Sequence, residues 1–202
     1  MLKIAVLVSG GGTNLQAVID AISKGEIKGE IVKVISSKAG VYALERAERA
    51  GIATEVINTK SGKTLLQSVR ESGAELVVLG GFLKVLEPEF VRAYINRIIN
   101  VHPALIPAFC GKGFYGLKVH EEVIKAGVRV TGATVHFVDE GCDTGPIIAQ
   151  KAVKVEQDDT PESLQKRVME EAEWVLLAKV IKLIAEGLVK VDGSKVIVGD
   201  DL

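Results

Sequence analysis

Three short stretches of this 202-residue sequence hold residue types able to do chemistry. The first is Ser9-Gly10-Gly11-Gly12-Thr13-Asn14. Consecutive glycines let a backbone come close to a ligand, and free N–H groups at a helix start attract an anion. Thr13 and Asn14 add side-chain donors, so the stretch is expected to bind a phosphate. Replacing Gly12 with valine is then expected mainly to weaken that binding. The second is Asn100-Val101-His102-Pro103. On an extended backbone, residues i and i+2 point the same way, so Asn100 and His102 can converge. An amide donor beside an imidazole suits stabilising an oxyanion and moving a proton. The third is Asp143 in the turn Gly141-Cys142-Asp143-Thr144-Gly145-Pro146. It either satisfies backbone amides, as most turn aspartates do, or orients His102 and favours its protonated form.

Other candidates carry less. A dinucleotide fingerprint starting at Gly10 would need glycine or alanine where Leu15 stands. Gly62-Lys63-Thr64 resembles the end of a phosphate-binding P-loop, but the earlier glycine falls on Ile57. A calcium loop from Asp139 fails at Thr144 and Gln150. His136 reads as a satisfied core histidine, and His120 as a half-buried surface residue. Cys142 adjoins Asp143 with no sign of a low-pKa nucleophile.

The elements that position these stretches follow from hydrophobic periodicity. Residues 2–8 are a continuous apolar run, as in a strand buried on both faces. Leu15, Val18, Ile19 and Ile22 form one helical stripe. Strands at 31–35, 54–57 and 76–79 alternate with helices at 42–50, closed by Gly51, and 64–71. This alternation implies a parallel sheet with right-handed crossovers. Residues 98–101 form a further short strand, ending where ligands gather in open α/β sheets.

The second half differs. Strands at 130–138 and 147–155 flank an eight-residue turn and are expected to be antiparallel. A long helix starts at Thr160-Pro161, with Leu164, Val168, Ala172 and Val175 as its buried stripe and Gly187 as its end. Residues 188–191 and 196–198 read as a terminal hairpin. The expected fold class is therefore α/β, with an open twisted sheet in a single domain over 1–202. Its N-terminal half is parallel and Rossmann-like, and its C-terminal half holds antiparallel strands.

Composition narrows the class. Apolar residues are 48% and charged residues 25%, which excludes disorder as the main state. Lys and Arg number 25 against 26 Asp and Glu, so no strongly basic face for nucleic acid is expected. With 21 glycines and 4% aromatics, the chain suits an α/β enzyme. Two cysteines cannot make a disulfide framework and lack a metal spacing. No signal-peptide core or membrane-length apolar run is present in the sequence. A reduced, soluble, cytoplasmic protein is expected.

Taken together, Val8 through Leu15, Asn100 through Pro107, and Thr131 through Ile148 closely resemble the phosphoribosylglycinamide formyltransferase family, in order and spacing, from Leu2 to about Leu183. The resemblance implies a formyltransferase fold and transfer of a formyl group from 10-formyltetrahydrofolate to glycinamide ribonucleotide, in purine biosynthesis. It implies Asn100, His102 and Asp143 as catalytic residues. Gly12, Thr13, Asn14 and Glu173 would bind the ribonucleotide. Leu83, Lys84, Val85 and Leu86, with Asn100, Val138, Asp139, Glu140, Gly141 and Asp143, would bind the folate, and Lys63 would be its basic contact. On this resemblance residues 1–100 form the phosphate and ribonucleotide half, and 101–202 the folate and catalytic half with the C-terminal helix and hairpin. Small molecules are the partners, without nucleic acid, membrane or metal, in a monomer or homodimer.

The sequence departs from the family in three places. Residues 110–116 form a longer, Gly-rich loop, expected to be a mobile flap. Residues 58–64 are shorter than in many members. The long helix carries one extra residue around 170–173. Two rival readings are a formyltetrahydrofolate hydrolase and a non-catalytic module binding a phosphorylated metabolite. The hydrolase would need no phosphate loop, and its relatives usually carry an extra N-terminal domain. A methionyl-tRNA formyltransferase would need a further RNA-binding domain.

Overall fold

The computed structural model describes residues 1–57 and 63–199. Residues 58–62, which include most of the short segment and Gly62, lie outside it, as do 200–202. The chain divides into two compact units, Met1–Asn100 and Val101–Leu202.

In the first unit, β1 (Leu2–Val8) leads to α1 (Thr13–Ser23), β2 (Gly29–Ser36), α2 (Tyr42–Arg49) and β3 (Thr54–Val56). Then come α3 (Leu65–Ser72), β4 (Leu76–Leu79), α4 (Pro88–Ala93) and β5 (Ile98–His102), whose last two residues fall in the second unit. The strands are parallel: β1 lies between β2 and β4, β3 pairs with β2, and β5 pairs with β4. Ile4 to Val8 are completely buried, as a central parallel strand covered on both faces requires. Leu15 and Val18 carry the buried face of α1. Thr64 caps α3 in a reciprocal box with Gln67. The six-residue α4 is too short for a periodic stripe and is absent from the sequence-based expectation; Pro88 at its first position starts it.

The second unit holds α5 (Leu117–Lys125), β6 (Val130–Phe137) and β7 (Ile147–Lys154), the two strands being antiparallel. Then follow α6 (Pro161–Val168), one π-helical turn (Met169–Glu173), α7 (Trp174–Ala185), and the hairpin β8 (Val189–Asp192) and β9 (Lys195–Val198). Thr160 caps α6 with Pro161 in its first turn. The core joins Val119 and Val123 of α5 to Ala133, Val153, Leu164, Val168 and Ala172.

Two sequence expectations are corrected here. Val175 is 49% exposed instead of belonging to the buried stripe. The π turn absorbs one extra residue, so the buried phase resumes at Leu176 and Leu177. His120 is fully buried, not half-exposed, because it shares the inward face of α5 with Val119 and Val123.

Candidate active site

The parallel half presents its glycine loop directly after β1. Gly12 has φ 73° and starts α1, with its carbonyl accepting the first helical bond from the Gln16 N–H at 2.9 Å. A Cβ on Gly12 would lie 2.6 Å from the Ala43 Cβ, so this glycine is required for packing against α2 as well as for its backbone conformation. A Cβ on Gly10 or Gly11 would meet nothing within 4 Å. These two glycines face open space. Arg46, which no spacing rule singled out, buttresses the loop. Its Nε donates to the Gly11 carbonyl at 2.9 Å, its Nη1 donates to Gln16 Oε1 at 2.9 Å, and it stacks over the Tyr42 ring.

The segment after β4 is tied back to the loop: the Leu83 N–H donates to Ser9 Oγ at 3.0 Å. Lys84, Val85 and Leu86 line a cavity of about 460 Å³, together with Ser36, Ile57, Thr64, Arg70, Phe82 and Phe90. Leu83 is exposed and does not line it. Lys63 does not line it either, and its ammonium pairs with Glu55 and Glu71. The basic side chain on the cavity wall from α3 is Arg70.

Asn100 and His102 stand two apart on β5, with Asn100 in register with Leu79 of β4. They share one face of the strand. His102 is 4% exposed. Its Nδ1 lies 3.7 Å from Asp143 Oδ2, and its Nε2 lies 2.9 Å from the Phe109 carbonyl oxygen, to which the Nε2–H donates. Asp143 sits at φ 57°. Its other oxygen, Oδ1, lies 3.7 Å from His136 Nε2. The Gly111 N–H donates to Asp143 Oδ2 at 2.9 Å. One carboxylate is thus flanked by two buried imidazoles.

His136 is the satisfied core histidine the sequence suggested, buried with its Nδ1 2.8 Å from the Phe137 carbonyl oxygen, and the sequence did not show that its Nε2 faces Asp143. The β6–β7 register shifts between Val135 and His136, and irregularities of this kind re-aim a side chain. A histidine in a β-run carries no sequence sign of such a shift.

The electrostatics revise one expectation. Burial lowers the His102 pKa below its ordinary value, outweighing the Phe109 carbonyl and the Asp143 carboxylate, which raise it. His102 is therefore neutral near pH 7, not protonated. For Asp143, burial pushes the pKa up, but the nearby His136 imidazole and the hydrogen bond from the Gly111 N–H, with the field of His102, hold it below the usual value. His120 is lowered to about 4, by burial and then by His102.

The turn that carries Asp143 is self-braced. Asp139 Oδ1 accepts from the Gly141 N–H at 3.0 Å and from the Thr144 hydroxyl at 2.7 Å. A Cβ on Gly141 would run into that hydroxyl. Val138 is half-buried and Glu140 exposed. Residues 109–111 are fastened across His102 and Asp143 by the Phe109 and Gly111 bonds. On the π turn, Glu173 is 6% exposed, while Glu170 and Glu171 face solvent. Among the described residues, no group of three His, Cys, Asp or Glu side chains could hold a metal ion.

A family model described as formyl transferase matches residues 2–181. The chain is 42% identical to the chloroplastic phosphoribosylglycinamide formyltransferase of Arabidopsis thaliana, over 93% of this chain and 67% of that protein. It is 37% identical to the phosphoribosylglycinamide formyltransferase of Haemophilus influenzae, over 93% of this chain and 89% of that one. Several other curated relatives are longer trifunctional purine biosynthetic proteins, of which the chain spans about a fifth or less. The crystal structure of glycinamide ribonucleotide transformylase 1 from Symbiobacterium toebii superposes with a TM-score of 0.92 at 39% identity, covering 99% of this chain and 95% of that one. Its α/β architecture, parallel in the first half and antiparallel in the second, is the formyltransferase fold. The chain belongs to the formyl transferase family, among the phosphoribosylglycinamide formyltransferases.

Proposed function

We propose that the protein transfers the formyl group of 10-formyltetrahydrofolate to the amine of glycinamide ribonucleotide, a step in purine biosynthesis carried out in the cytoplasm. The observation that carries the chemistry is the Asp143 carboxylate held ionised between His102 and His136. Homology to enzymes named for this transfer supports the choice of substrates.

Attack of the amine on the formyl carbon makes a tetrahedral centre with a negative oxygen and a positive nitrogen. Asn100 donates its amide N–H to that oxygen, and neutral His102 donates from Nε2 once the Phe109 carbonyl has let go of it. Once in place, such donors stabilise the charge as it develops and are worth about 3–4 kcal/mol each in a site that excludes water. Asp143, ionised, accepts the proton leaving the ammonium, through a water. The C–N bond to the folate then breaks as its nitrogen takes that same proton back from Asp143, and the formamide remains on the ribonucleotide.

Binding follows the same division. The open backbone at Gly10 and Gly11, with Gly12, Thr13 and Asn14 at the start of α1, holds the phosphate. Glu173, the buried carboxylate of the π turn, accepts from ribonucleotide donors. Lys84, Val85 and Leu86 receive the folate in the apolar cavity, and Arg70 or Lys63 faces its acidic tail. Val138, Asp139, Glu140 and Gly141 hold the other side of the donor.

A spectrophotometric assay with 10-formyltetrahydrofolate, with and without glycinamide ribonucleotide, tests this reading. Product only when both compounds are present is the expected outcome. Release of formate without the ribonucleotide would make the protein a hydrolase, and binding without turnover would make it a passive module.

A further inference from the structure

Cys110 and Cys142 are the only two cysteines in the sequence, and both are free thiols, Cys142 exposed and Cys110 half-buried. Cys110 sits in the middle of the strap that crosses the candidate site. The residue before it, Phe109, accepts from His102, and the residue after it, Gly111, donates to Asp143 Oδ2. Its own Sγ lies 3.3 Å from the Pro107 carbonyl. Cys142 is the neighbour of Asp143, and its Sγ lies 3.9 Å from the same Oδ2 atom. One carboxylate oxygen is therefore shared by the strap and by the second thiol.

We propose that Cys110 and Cys142 are a redox pair that closes to a disulfide under oxidation, pins the strap over His102 and Asp143, and stops turnover. The inference rests on the catalytic reading of those two residues. His102 can reach a substrate through Nε2 only when the Phe109 carbonyl releases it, so a strap that cannot lift keeps the imidazole occupied. Gly111 and Gly113 stand at φ 88° and 93° in nearly open space, a backbone without side chains that leaves room for the two sulfurs to approach.

The oxidant is a low-molecular-weight disulfide. Cys142, the more exposed thiol, loses its proton to solvent and attacks one sulfur, forming a mixed disulfide and releasing one thiolate. Cys110, likewise deprotonated, attacks the Cys142 sulfur and expels the second thiolate. Two protein thiols become one disulfide, and the small disulfide is reduced to two thiols. Burial and then the Asp143 carboxylate raise both thiol pKa values, and Cys142 also feels Cys110. Both thiols stay protonated near pH 7, so casual oxidation is slow.

The test uses the reduced full-length protein treated with oxidised glutathione. Expected are the loss of two hydrogens from the intact mass without a retained glutathione, and a cross-link joining tryptic peptides 98–112 and 130–151. Turnover should fall by at least about tenfold, in line with loss of a catalytic donor, and return with dithiothreitol. Cys110→Ser should keep its basal turnover and resist this inactivation. Cys142→Ser should form no cross-link. A lasting glutathione adduct with no link between the two peptides overturns the proposal, and so does a complete cross-link with undiminished turnover. Failure of the formyl-transfer reading looks different: the reduced protein is inactive, while the mass readout still reports whether the link forms.

Discussion

His102 Nδ1 stands 3.7 Å from Asp143 Oδ2, with the imidazole 5% and the carboxylate 13% exposed at their side chains. At that burial the two groups divide the work: the carboxylate keeps the charge and the imidazole gives it up. Burying an imidazolium here costs more than the nearby carboxylate returns.

Removing the oxyanion donors should be severe and local. Asn100→Ala and His102→Ala should each lower kcat by about 10²–10³ while circular dichroism stays unchanged. Near-normal turnover by folded His102→Ala protein would reject the mechanism.

The second imidazole acts through the carboxylate. In His136→Gln the Asp143 carboxyl loses a charged-capable partner, so its pKa rises toward or above the ordinary carboxylate value. Asp143 works ionised, so the acid limb of the kcat/KM profile should move to higher pH. A lower rate with an unmoved acid limb would make His136 merely structural.

His120 supplies a stability measurement. Its folded pKa of about 4 lies below the ordinary 6.5, so the unfolded chain binds the extra proton between those values. Its contribution is whole above pH 6.5 and is lost as pH falls toward 4. A shift of this size corresponds to about 3 kcal/mol. Urea unfolding at pH 7 and pH 4 should show a smaller acid loss in His120→Leu than in the parent. Equal losses would place the acid sensitivity elsewhere.

The glycine loop separates packing from binding. Gly12→Ala puts a Cβ against Ala43 at a positive φ and should destabilise by about 2–4 kcal/mol, as strain adds to overpacking. Gly12→Val is thus a test of the fold more than of phosphate binding. Gly11→Ala meets no neighbour and should keep its melting temperature while raising the KM for the ribonucleotide. Unchanged KM there would count against the loop as the phosphate site.

Local rules made much of the scaffold legible. The apolar run of β1, the Thr160-Pro161 start of α6 and the Gly51 and Gly187 stops each depend on a few neighbouring residues, so they survive folding unchanged. The extra residue at 170–173 was visible as a departure in length. Its form, a π turn that turns Val175 outward and leaves Glu173 buried, was not, because helical periodicity assumes a constant residue count per turn.

By itself, the order of residues determined which groups stand two apart on a strand, which loop is built of glycine, and where the parallel half gives way to the antiparallel one. Only the folded chain decided that His136 meets Asp143, that burial lowers the His102 pKa, that Arg70 reaches the cavity, and that Cys142 and the Gly111 N–H share one carboxylate oxygen. Those relations are contacts between distant segments, and burial and electric fields exist only after such segments have met.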